Sequence, residues 1–181
     1  MLQTFLNSDQ IDITISANNN LGPGVYGQAY GDGDGTNYHI ELHTDILASC
    51  SQEFIAMIFY HEAIHVYLKE HQDTWNTATS SEHEEMLAAY YDQLSSAITE
   101  AYPSMPLKDA YSIILSCITN DNEDTSYSDG MITSFKAGLI NIMMTRFPDV
   151  TGVADVTAIA SQYSETGIKG TRSAGCRTIT Q

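Results

Sequence analysis

Apolar residues fall into two textures along this chain. In the first 48 residues they alternate with polar ones: Ile11, Ile13 and Ile15 are interleaved with Asp12 and Thr14, the period of a strand with one buried face. Val25–Tyr30 and Tyr38–His43 flank Gly31-Asp32-Gly33-Asp34-Gly35, a run suited to chain reversal, so these two segments predict a hairpin. Asn18, Asn19 and Asn20, followed by Gly22, Pro23 and Gly24, mark a further turn before it. Asp32 and Asp34 lack the additional oxygen ligands and the Glu at a fixed offset that a calcium loop needs, so a solvated turn is expected there.

From about Ser51 the texture changes. Phe54-Ile55-Ala56-Met57-Ile58-Phe59-Tyr60 is apolar on every helical face and runs on through His61-Glu62-Ala63-Ile64-His65-Val66-Tyr67-Leu68, which predicts a buried helix. Ser81 with Glu84 three residues on forms a capping box, opening a second helix that continues to about Tyr102 and is ended by Pro103. Ser104-Met105-Pro106 opens a third helix through Ile118. Asn120 to Gly130 reads as an acidic loop and Met131 to about Phe147 as a fourth helix, its methionines filling core. The tail from Asp149 is expected to form a last strand or a docked irregular segment. The fold class is therefore α+β in one domain covering residues 1–181: a β-rich part (1–48), a helical part (51–147) and a tail (149–181).

Composition narrows the function classes. The 181 residues hold 7 Lys and Arg against 23 Asp and Glu, a formal charge of -16, and such a field repels phosphate backbones. Nucleic acid is therefore not an expected partner, and the tail's Lys169, Arg172 and Arg177 are too dispersed to make a basic patch. No basic residue precedes Lys69 and no apolar run approaches the roughly 20 residues that span a bilayer. The expectation is a soluble protein without a membrane partner, cytoplasmic or exported without a cleavable signal peptide. Cys50, Cys117 and Cys176 are odd in number and far apart, which argues against a disulfide framework.

The chemistry centres on His61-Glu62-x-x-His65. Histidines at i and i+4 project from one helical face and can share a tetrahedral metal ion, with Glu62 beside it. Burying two imidazoles and a carboxylate in an apolar helix costs several kcal/mol unless they have a partner, and a zinc ion supplies one. A catalytic zinc needs a third protein ligand and an open fourth position. His71 falls where an HExxHxxGxxH pattern places its last His, but Leu68 replaces the turning Gly, and a continued helix points His71 away from the pair. Glu85, 20 residues beyond His65, has a spacing that a Glu ligand can use. On the second helix, however, Met86, Leu87, Tyr90, Leu94, Ala97 and Ile98 lie within about 60° of His83, whereas Glu85 lies near 200°. Phase thus favours His83 as third ligand, with Glu84, Glu85 and His71 as alternatives.

His61-Glu62-Ala63-Ile64-His65-Val66-Tyr67-Leu68, followed after a loop by His83-Glu84-Glu85-Met86 opening a helix, resembles the SprT-like group of zincin metallopeptidases, over about residues 38 to 118. In that group a third His begins the helix after the HExxH helix; the Gly that commonly follows it is Glu84 here. The resemblance implies a zincin-like fold, one zinc per chain on His61, His65 and His83, and hydrolysis of a peptide or protein substrate with Glu62 as general base. Tyr67, His71, Tyr90 and Tyr91 are the candidate donors to the developing oxyanion. An effector or toxin domain is one setting for such a peptidase, although no residue specifies it. The alternative, suggested by the charge, is an acidic interaction or inhibitor-type protein whose zinc site is not catalytic. The side chain preferred next to the scissile bond and the oligomeric state have no signature in these residues.

Overall fold

In the computed structural model, the backbone is described at residues 12–22, 25–33, 35–71, 81–119, 129–164 and 169–170, with side chains at these positions except 69–71, 81–89, 117–119 and 129–136. Three strands come first: β1 (Asp12–Asn18), β2 (Gly27–Gly31) and β3 (Asn37–His43). Their order is β1-β3-β2, with β3 parallel to β1 and antiparallel to β2. The hairpin expected from the alternation is thus present, and its turn contains Gly33 and Gly35 at φ +84° and +76°, where side chains are strained.

Register fixes which residues share a face. Ile40 stands opposite both Ile15 and Ala29, and Leu42 opposite both Ala17 and Gly27, so Tyr38, Ile40 and Leu42 are the buried spine of the sheet. The opposite face is polar. There Glu41 accepts hydrogen bonds from Asn18 Nδ2 (2.6 Å), Gln28 Nε2 (2.8 Å) and the Tyr30 hydroxyl (3.1 Å), knitting all three strands together. The bond from Asn18, chiefly, holds the Glu41 carboxyl below its ordinary pKa. Ile15 remains 56% exposed although it lies on the core side, because the helical layer packs against β2 and β3.

The helices are α1 (Thr44–Ser49), α2 (Gln52–His71), α3 (Ser81–Ala101), α4 (Leu107–Thr119), α5 (Asp129–Arg146) and α6 (Val153–Ser161). α2 packs against β2 and β3 on one side and α3 and α4 on the other. Being covered all round, it carries Phe54, Met57, Ile58, Ala63, Ile64, Val66 and Leu68 into the core, as its apolar composition predicts. It also continues to His71, as the absence of a Gly at position 68 suggests. No helix among the described residues is long and apolar enough to cross a membrane.

Two helices correct the expectations. The β-rich part ends in α1, where the His43 ring accepts from the Asp45 backbone N–H and so caps a short turn of helix. The tail contains α6, not a strand. Thr151 donates from both its backbone N–H and hydroxyl to Asp155, fixing the helix start, and Val156, Ala160 and Tyr163 form a stripe buried against the body. α5 also begins two positions earlier than expected, at Asp129; the remainder of the expected acidic loop lies outside the described residues.

A buried polar clasp holds the end of the described chain. Asp109, 2% exposed, accepts from the Tyr163 hydroxyl (2.7 Å) and Lys169 Nζ (2.9 Å). Burial, with Asp109 beside it, pushes the Tyr163 hydroxyl well above the ordinary phenol range, so it stays a donor. Removing the lysine leaves a carboxylate in the core without its cation. Lys169→Met is therefore expected to lose about 2 kcal/mol in urea unfolding, and adding Asp109→Asn to recover most of that.

Candidate metal and catalytic site

The site is built on one helical face. His61 and His65 are a turn apart on α2, and their Nε2 atoms converge to 3.1 Å, the rings meeting edge-on at 72°. This close approach has two chemical uses. One nitrogen can donate its proton to the other, or both can turn lone pairs to a common cation. Two ligands on a tetrahedral zinc at about 2.0–2.1 Å stand about 3.3 Å apart, so the spacing matches two corners of such a site. His61 is 7% exposed with its Nδ1 buried, and His65 is half-buried.

Glu62 projects about 100° round the helix from His61. It is 6% exposed and lies against β2. A methyl group on Gly27 would meet Oε1 of Glu62 at 3.0 Å, its Cγ at 3.1 Å and Cγ2 of Ile58 at 2.8 Å. The strand backbone is thus the wall against which the carboxylate rests. The structure brings the rings of His61 and His65 together, and it sets Glu62 against the strand at Gly27. Gly27 was not singled out from the sequence, although a glycine inside a strand is a sign of close approach by another group.

The third-ligand candidates fall where the side chains are not described. His83, Glu84 and Glu85 lie in the first turn of α3 and His71 is the last residue of α2; their side chains are outside the described set. Further along α3, the expected stripe is present: Leu94 and Ile98 are buried, and Tyr90 stands edge-on to Tyr67 at 6.0 Å. Tyr91 and Ser95 widen that stripe. Among the described residues, no group of three His, Cys, Asp or Glu side chains is gathered as a metal cage.

One further candidate changes role. The Tyr91 hydroxyl donates to the Tyr111 carbonyl at 2.9 Å, and burial raises its pKa far above the ordinary phenol value, so it serves packing, not an oxyanion. Asp92 on α3 accepts from both terminal guanidinium nitrogens of Arg146 at 2.8 and 2.9 Å and from the Tyr111 hydroxyl at 2.5 Å. Arg146 also lies over the Tyr111 ring at 5.1 Å, joining α3, α4 and α5. Asp92 therefore adds little field at the site. Compared with known proteins, the chain matches no family model, no curated protein and no solved structure.

Proposed function

We propose that the chain is a zinc-dependent metallopeptidase, similar to SprT-like zincins, in which His61, His65 and His83 hold one metal ion and Glu62 is the general base. The observation that carries this is the convergence of the two Nε2 atoms on a buried helix, with a buried carboxylate one residue from the first. Zinc bound there would supply Lewis acidity, lowering the pKa of a water toward about 7 and polarising the scissile carbonyl. Glu62 takes the proton of the attacking water on its carboxylate and returns it to the leaving nitrogen, so the peptide bond and one water become a carboxyl and an amine. An unbiased peptide library should be cut by the purified chain, lose cleavage on treatment with a zinc chelator and regain it on adding zinc. Absence of cleavage under saturating zinc would sink the proposal.

The formal charge of -16 favours a second reading, an acidic interaction protein with a structural zinc. A structural site fills its fourth position with Cys or His. Such a protein would hold zinc, cut no peptide and bind its partner equally well with Glu or Gln at position 62.

The same charge gives the peptidase a preference. Residues 1 to 68 contain no Lys or Arg, and Glu82, Glu84 and Glu85 open α3, so the substrate is expected to be a cationic peptide or protein segment. Cationic peptides should show the higher kcat/KM at low salt. That advantage should shrink as the screening length falls from about 30 Å at 0.01 M to about 8 Å at 0.15 M. Equal rates for acidic and basic peptides at all salt concentrations would place the acidity away from the cleft.

A further inference from the structure

Gly27 has an ordinary extended place in β2, paired with Leu42, and its φ lies outside the left-handed region that favours glycine. No backbone requirement explains a glycine there. Space does: an added Cβ would fall 2.8 Å from Ile58 Cγ2 and 3.0 Å from Glu62 Oε1, closer than such contacts ordinarily come. Ile58 and Glu62 are one turn apart on α2, so the missing side chain makes a slot in the strand that receives both.

From this contact we infer that Gly27 is a positioning residue for the Glu62 carboxylate; its catalytic consequence rests on the peptidase proposal, whereas the contact itself does not. The atoms an alanine would strike belong to side chains, not backbone: the Cγ2 methyl of Ile58, held at a branched Cβ, and the Cγ and Oε1 of Glu62. Gly27→Ala therefore costs stability, because the buried Ile58 must shift, and the Glu62 side chain moves away from the strand from its Cγ outward. A shift of about 1 Å in a general base is enough to lower a rate by about a hundredfold.

The test has two readouts. In the chelated, metal-free chain, urea unfolding of a double-mutant cycle compares Gly27→Ala in the native and Glu62→Ala backgrounds. The strike on Ile58 is common to both and cancels. Gly27→Ala should raise the unfolding constant at least about threefold more in the native background than in Glu62→Ala. In the zinc-loaded chain, Gly27→Ala should lower kcat by about tenfold to a hundredfold while KM and zinc content stay unchanged. Gly138→Ala is the control, since a methyl on Gly138 in α5 meets nothing within 4 Å, and it should leave kcat unchanged. An equal unfolding penalty in both backgrounds, or full kcat in Gly27→Ala, would overturn the assignment. If the native chain cuts no peptide, the functional proposal fails on that result, and the unfolding cycle still decides whether Gly27 positions Glu62.

Discussion

Glu62→Gln should leave the fold and the zinc content intact and lower peptide hydrolysis by about a thousandfold or more. The amide has the shape of the carboxylate and fits the same space between Ile58 and the Gly27 backbone, so packing on β2 is kept. It is not a base, and loss of a positioned proton acceptor removes about 10²–10⁴ in rate. The decisive feature is a fall in kcat with KM and bound metal unchanged, which marks a group acting in the transition state. Cleavage that survives Glu62→Gln would remove Glu62 from the mechanism.

His61→Ala and His65→Ala should each weaken zinc binding by more than about a hundredfold, beyond the loss expected for an outer-shell partner. The two histidines converge on one point, so neither variant can be rescued by the other ring alone. His83→Ala should behave as they do, while Glu85→Ala and His71→Ala keep their metal. Competition of each purified variant against a chelator of known zinc affinity measures this. Full occupancy in His83→Ala together with loss in Glu85→Ala would show that helical phase chose the wrong residue for the third ligand.

What the sequence disclosed was governed by local periodicity. The turn between β2 and β3, the all-round burial of α2 and the pairing of His61 with His65 depend on residues within a turn or a hairpin of one another, so spacing alone revealed them. α6 was obscured because Val153, Val156, Thr157 and Ile159 are β-branched and suggest a strand, although the Thr151–Asp155 cap and the stripe ending at Tyr163 decide for helix. α1 was obscured because its cap is a histidine ring, outside the usual capping residues. Contacts between distant segments had no local signature at all. Asp92 on α3 pairs with Arg146 on α5, and Gly27 inside β2 meets α2, contacts between segments that local spacing does not relate. The histidine pair was therefore legible, whereas the strand wall against Glu62 was not.

Zinc content of the chain, purified without added metal, tests the central claim most directly. One zinc per chain is expected by elemental analysis, with absorption spectroscopy showing nitrogen ligands at about 2.0–2.1 Å, and its loss in His61→Ala and His65→Ala. A chain that takes up no zinc at saturating concentration, or that keeps it when both histidines are replaced, would contradict the account.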